Sequence, residues 1–340
     1  MIGQASILGA GSELEVSPNI TPSRSDKVSD GPWSVILAGG EGDRIKPFIL
    51  RWLKRHKPKQ YCTFVGTRSM LEHTLARADL LSPRARQLTV IRRSHLPEAR
   101  PQFAGRSLKT LILQPENCDT GPGVFLPLTY IRAKDFDATV VFYPSDHFVC
   151  PEDEFSHVVA GAAMAADRMP DRFVLLGAFP DGAESDYGWI GPGETLDRVS
   201  GQEVRSVRSF HEKPGRSRAE ALMASRGLWN TMIFAVKQTT LWSMGLRYLP
   251  DMMPLFERLG DAIGGPQERA LLKEIYQAMP SRNFSSGLLA LAAEKAAVIE
   301  LPESILWSDW GRPERIAATI HRINKPPAFP WGCLKPEYQT

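Results

Sequence analysis

The sequence predicts an α/β fold with a mixed, mainly parallel central sheet flanked by helices. Three observations carry that expectation. Short apolar runs recur at residues 33–37, 87–91, 139–143 and 173–177. Stretches with apolar residues three and four apart separate them. Two of the runs end in polar loops, Gly39-Gly40 and Pro144-Ser145-Asp146-His147, the pattern of buried strands that deliver functional loops at their ends.

Residues 1–31 are rich in Ser, Pro, Gly and Asp without periodicity and are expected to form a flexible extension. Residues 33–37 read as a strand. Residues 69–81 read as a helix, with Met70, Leu71, Leu75 and Ala78 on one face and Ser69 with Glu72 as a capping box. Strands follow at 87–91 and 110–113, a helix at 121–133, a strand at 139–143, an amphipathic helix at 151–168 and a strand at 173–177. The second half alternates less regularly. Residues 204–212 and 232–236 read as strands around a short helix at 217–225. Residues 241–278 are mostly helical, broken at Pro250, Pro254 and Gly264-Gly265. A strand at 297–300 and a helix at 313–323, with Pro at its first position, complete the series. The expected division is an extension over 1–31, one domain over 32–324 and an irregular tail over 325–340.

The 340 residues are 43% apolar and 23% charged, enough for a sizeable core. Forty-one Lys+Arg against 38 Asp+Glu give a net charge of +3, which excludes a whole-molecule electrostatic footprint for nucleic acid. No apolar run reaches the roughly 18 residues of a membrane span, and no leader peptide is evident. Cys62, Cys118, Cys150 and Cys333 form no Cys-x-x-Cys pair, which argues against a zinc ribbon or a disulfide framework. A cytoplasmic protein without membrane or nucleic-acid partners is expected.

The chemistry starts at Leu37-Ala38-Gly39-Gly40-Glu41-Gly42-Asp43-Arg44. It is not a Walker A loop, since no Gly-Lys-Ser/Thr follows. It is not a dinucleotide fingerprint, since Ile45 takes the third glycine position. Three glycines still let backbone amides approach an anion, and Arg44 adds a forked donor. The alternative is an ordinary strand-to-helix turn. Lys59, in Pro58-Lys59-Gln60, taken alone reads as a solvated cation.

Further segments follow in order: Gln114-Pro115 through Asp119-Thr120-Gly121-Pro122-Gly123, Pro144-Ser145-Asp146-His147, Asp186-Tyr187-Gly188-Trp189-Ile190, Phe210-x-Glu212-Lys213-Pro214, Leu228-Trp229-Asn230 and Trp307-Ser308-Asp309-Trp310-Gly311. With the glycine loop and Pro58-Lys59-Gln60 they resemble the signatures of nucleotide-sugar pyrophosphorylases, most of all the mannose-1-phosphate guanylyltransferase branch. The resemblance covers about residues 33–320 and implies a Rossmann-like, GT-A-like nucleotidyltransferase fold with its catalytic domain over 32–324.

The reaction this resemblance implies is attack of a sugar 1-phosphate oxygen on the α-phosphorus of a nucleoside triphosphate, with loss of pyrophosphate. The nucleophile is already an anion, so positioning and fixed positive charge replace a general base. The resemblance assigns the nucleotide to Leu37, Ala38, Gly39, Gly40, Gly42, Gln114, Asp119 and Thr120. It gives Arg44, Lys59, Asp146 and Lys213 catalytic roles. Asp146 and Asp309 become Mg²⁺ ligands. Gly188, Glu212, Lys213 and Asn230 take the sugar phosphate. The implied partners are a triphosphate, GTP first, and mannose 1-phosphate, with a homodimer as the expected assembly.

Other readings stand beside these. Asp146 and Asp309 could cap the helices that follow them. Glu212 and Lys213 could be a surface ion pair. Tyr187, Trp189 and Trp229 could be packing residues, and His147 a neighbour of the site rather than a ligand.

The sequence departs from the family pattern in three places. The gap from Arg44 to Lys59 is longer, and its extra residues 51–57 are basic, an expected mobile lid or partner surface. Gln114 and Asp119 stand where Glu and Asn are usual. An amide suits uracil or thymine, while the Asp119 carboxylate could accept from guanine. Thr231-Met232-Ile233 replaces small-Gly-Met and is expected to reshape the sugar site. Too few residues follow Gly311 for the family's C-terminal β-helix, so none is expected. Two other functions stay open: a UTP- or dTTP-dependent glucose-1-phosphate nucleotidyltransferase, and a non-catalytic regulator that binds a nucleotide-sugar.

Overall fold

A computed structural model describes residues 31–334. The expected extension, but for Gly31, and residues 335–340 of the tail lie outside the described residues. Eleven strands are present: β1 (Trp33–Ala38), β2 (Gln87–Arg92), β3 (Leu111–Gln114), β4 (Thr139–Pro144), β5 (Phe148–Cys150), β6 (Phe173–Ala178), β7 (Gly188–Val199), β8 (Gln202–Glu212), β9 (Leu228–Lys237), β10 (Ala296–Glu300) and β11 (Leu306–Ser308). Nine form one sheet in the order β3-β2-β1-β4-β9-β6-β10-β8-β7. β1 to β4 run parallel to one another, as do β6 and β10, and only β8 and β9 oppose the other seven. The mainly parallel expectation holds.

The apolar runs form β1, β2, β4 and β6 because both faces of this sheet are covered. Val35, Val140 and Phe142 point into one core layer, against the helix Thr120–Lys134 and the helices Met253–Ala262 and Glu268–Ala278. Their neighbours Ile36, Val141 and Tyr143 point into the other, against Met70–Asp79 and Glu152–Arg168. The capping box at Ser69 is formed: its hydroxyl accepts from Glu72 N at 3.1 Å, and Glu72 accepts from Ser69 N at 2.7 Å.

Two features escaped the sequence. β7 forms a long hairpin with β8, although Gly191-Pro192-Gly193 reads as a turn; register shifts absorb those residues. β5 and β11 pair into a separate two-stranded ribbon. The basic residues 51–57 are docked, which departs from a mobile lid. Residues 51–53 are the last turn of the helix Lys46–Leu53 and 54–57 follow it, and Trp52 packs with its ring centroid 5.4–5.9 Å from those of Phe48, Phe64 and Phe329. Arg55 and Lys57 both pair with Glu98. Beyond residue 324, Phe329 is buried in that cluster and Pro327 bridges to Val65. No helix among the described residues is long and apolar enough to cross a membrane.

Candidate active site

The carboxyl ends of β1, β3 and β4 open onto a cavity of about 510 Å³, the position where parallel sheets place ligands. Leu37, Gly39, Gly40, Gln114, Asp119, Thr120 and Asp146 line it, as do Gln60, Asn117 and Met232. The glycine loop is held from behind. Gln60 Nε2 donates to the carbonyls of Ala38 (2.8 Å) and Gly40 (2.9 Å), and Tyr61 Oη donates to Ala38 O at 3.3 Å. Ala38 therefore acts through its backbone, and Gln60, only a motif letter in the sequence, sets the loop's shape. Gly42 has φ 67°, in the left-handed region, and a Cβ there would stand 2.9 Å from Lys59 Cβ.

Lys59 is 3% exposed. Its ammonium lies 2.7 Å from Asp146 Oδ2 and also donates to the backbone carbonyl of Asp309. One buried cation thus ties the Asp146 carboxylate to the backbone of Asp309, the other expected metal ligand. Burial alone would raise the Asp146 carboxyl, but Lys59 beside it holds it below its usual value. Asp309 is held far down against the same burial by Lys59, Tyr187 and Arg315. Its Oδ1 accepts from Tyr187 Oη (2.7 Å), Gly311 N (2.9 Å) and Arg315 (3.0 Å), and its Oδ2 from Arg44 (2.9 Å). Neither aspartate caps a helix: Pro151 and Arg312 hold the N-cap positions.

Arg44 is half exposed and reaches from Asp309 to Asp186, 3.3 Å away. Arg315, Tyr187, Asp186 and Glu184 complete this charged cluster. Of these, the sequence reading held Asp186 only as a motif letter and Tyr187 as a core aromatic. His147 is neutral, its pKa pushed down to about 4 by burial.

The sugar-phosphate residues gather on β7, β8 and β9. A Cβ on Gly188 would meet Glu212 Oε2 at 2.9 Å and Asn230 Cβ at 3.3 Å, so glycine is required where three strands converge. Lys213 is exposed, lies 3.4 Å from Glu212, and donates its backbone N–H to Tyr187 O at 3.1 Å. Tyr187 joins this group to Asp309. Trp189 and Trp229 are core residues.

At the base end, Gln114 Nε2 is buried without a protein partner. Asp119, at φ 69°, caps the helix Thr120–Lys134 and accepts from Asn283 at 3.2 Å. The Thr120 hydroxyl accepts from Phe284 N at 2.8 Å. Met232 sits where the family pattern has glycine, and its φ is 57°. Its N–H donates to Asn230 Oδ1 at 3.1 Å, and its sulfur accepts from Ser285 at 3.3 Å.

No group of three or more His, Cys, Asp or Glu side chains could cage a metal among the described residues. The donors still fit a hard divalent cation. Asp146 Oδ1 makes no hydrogen bond among the described residues, and Asp309 Oδ2 has only Arg44. Two carboxylates completed by phosphate oxygens are a usual Mg²⁺ set.

The first curated relatives compared are longer than this chain. It spans 57% of a xanthan biosynthesis protein XanB from Xanthomonas campestris, at 26% identity over 82% of this chain. It spans 59% of a mannose-1-phosphate guanylyltransferase 2 from Escherichia coli O157:H7, at 27% identity over 84% of this chain. A solved structure titled mannose-1-phosphate geranyltransferase, from Thermus thermophilus, superimposes with TM-score 0.70 at 26% identity, covering 84% of this chain and 79% of that one. The nucleotidyl transferase family model matches residues 33–324. That span takes in the glycine loop, both aspartates and every strand of the sheet, and the chain belongs to the nucleotidyl transferase family.

Proposed function

We propose that this protein transfers a nucleotidyl group from a nucleoside triphosphate, GTP first, to a sugar 1-phosphate, mannose 1-phosphate first, releasing pyrophosphate. The observation that carries the reading is the buried Lys59 ammonium bridging Asp146 and Asp309 beside a glycine loop that opens into a cavity. A pure binding module has no need of two carboxylates, one of them buried, held ionised beside a glycine loop.

The amides of Gly39 and Gly40 face the triphosphate. Lys59 places its buried ammonium where the α-phosphoryl oxygens gain negative charge. Arg44 leaves Asp309 and Asp186 for the stronger phosphate anion, which frees Asp309 Oδ2 and places a bidentate donor on the departing pyrophosphate. Mg²⁺, held by Asp146 Oδ1, Asp309 Oδ2 and phosphate oxygens, would supply charge neutralisation between the two polyanions. Glu212 and Asn230 orient sugar hydroxyls, and Lys213 receives the sugar phosphate.

The Gln114 amide lines the cavity and can both donate and accept, which suits the O4 and N3–H of uracil or thymine. It therefore favours a second reading with UTP or dTTP. Purified protein with Mg²⁺, mannose 1-phosphate and GTP, UTP, dTTP, ATP or CTP in turn separates them. Pyrophosphate release with GTP, lost in Asp146→Ala and Asp309→Ala, supports the first reading. Release only with UTP or dTTP moves it to the second. Nucleotide binding with no release from any sugar phosphate would overturn both.

A further inference from the structure

A second cavity, of about 560 Å³, lies behind the first. The two share His147, which lines both. The partition is the stretch where Pro144, Ser145 and Asp146, at the first cavity, run into β5, whose Phe148, Val149 and Cys150 line the second. Two successive residue pairs straddle it. Asp146 lies at the first cavity while His147 also walls the second; Asp309 joins the Lys59 cluster while Trp310 walls the second. Phe148, on the ribbon, stacks on Trp310 with ring centroids 4.6 Å apart and planes 15° apart.

Two features of this partition carry a local cost. Trp310 holds φ 45°, a left-handed backbone that bulky residues avoid. Its Nε1 and the Nδ1 of His147 are buried with no partner among the described residues. Polar atoms left this way mark a wall that can gain by rearranging.

The lining states the ligand's chemistry. Phe148, Trp310 and Met70 give flat apolar surface. Arg68, half exposed, and Lys325 supply cations, and Arg77 lies buried beneath. Glu152 pairs with Arg77 at 3.1 Å, with His73 at 3.0 Å and more loosely with Arg68 at 3.9 Å; Asp153 adds a second negative charge. Three cations against two carboxylates leave a net positive site.

We infer that this second cavity is a regulatory site for a small aromatic anion, whose binding shifts His147 and Trp310 and through them Asp146 and Asp309. The regulatory part rests on the proposed nucleotidyl transfer; the binding part does not.

Anilinonaphthalene sulfonate, an aromatic anion whose fluorescence rises in apolar sites, is the probe. It is titrated into the full chain with nucleotide saturating the first cavity. The expected result is dye binding that persists beside the nucleotide and changes both the nucleotide Kd and the rate of pyrophosphate release. Arg68→Glu should weaken the dye roughly fivefold and abolish both effects while basal release stays unchanged. Lys325→Glu serves the same purpose if Arg68→Glu folds poorly. Complete displacement of the dye by nucleotide, or dye affinity indifferent to both substitutions, would overturn the site. Dye binding that leaves nucleotide Kd and turnover untouched would overturn the coupling. A wild-type chain that releases no pyrophosphate refutes the proposed activity instead, and the nucleotide Kd then reads the coupling alone.

Discussion

Gly42 leaves no room for a side chain beside Lys59: a Cβ at Gly42 would lie 2.9 Å from the lysine's own Cβ. The left-handed turn of the glycine loop and the seat of the buried cation are one structural unit. Gly42→Ala meets two penalties, a φ of 67° that costs about 1 kcal/mol for any residue with a Cβ, and displacement of Lys59 from Asp146. A loss in kcat of about two to three orders of magnitude is expected, larger than the stability loss explains. Pyrophosphate-release kinetics beside a thermal melt separate the two. A variant with full activity would show that the turn does not position Lys59.

Gln60→Leu removes the two donors that hold the Ala38 and Gly40 carbonyls. Lys59 and both aspartates stay in place. KM for the triphosphate should rise about tenfold with kcat changed less, because the loss falls on binding. Steady-state kinetics with varied nucleotide check this; equal loss in kcat alone would assign Gln60 to the chemical step.

Met232→Gly sets relief of the φ 57° strain against added chain entropy and the packing Met232 makes on the core, so stability should change by less than about 1 kcal/mol. It also removes a side chain from the cavity wall. Urea unfolding reads the first effect. A relaxed preference among sugar 1-phosphates, read as ratios of kcat/KM, reports the second.

Glu152→Gln should cost about 2 kcal/mol at neutral pH, because Arg77 is buried and loses its charge partner. In the native protein burial works against the Glu152 carboxylate, yet His73 and Arg77 hold its pKa below the ordinary value. A lowered folded pKa gives stability that is full above the unfolded value, near 4.5, and is lost as pH falls through the folded one. The wild type should therefore lose stability below about pH 4.5 more steeply than Glu152→Gln. Parallel unfolding slopes in the two proteins would refute this.

The parallel half of the sheet was legible because buried strands read as continuous apolar runs, and Ser69 with Glu72 announced a helix start. The hairpin strand β7 was not, because Gly191-Pro192-Gly193 carries turn chemistry that only its pairing with β8 overrides. The basic letters of residues 51–57 hid Trp52, whose burial depends on Phe329, far along the chain. Motif residues such as Lys59 and Asp309 were legible; their clamps were not. Arg315 reaches Asp309 from an otherwise ordinary amphipathic helix, and nothing local marks it.

β10 lies late in the chain yet sits inside the sheet, between β6 and β8. During synthesis, everything up to residue 295 can emerge before that gap is closed. Until then β6 and β8 present open edges, which are pairing templates for other chains. β11 and Asp309 follow only afterwards, so the Asp309 backbone joins Lys59 once the sheet has been sealed. A nascent or prematurely terminated chain would carry the glycine loop without its second acidic partner. Such a chain would be prone to clump, and it would lack one of the two carboxylates that the proposed reaction needs, so assembly order couples completion of the sheet to completion of the site.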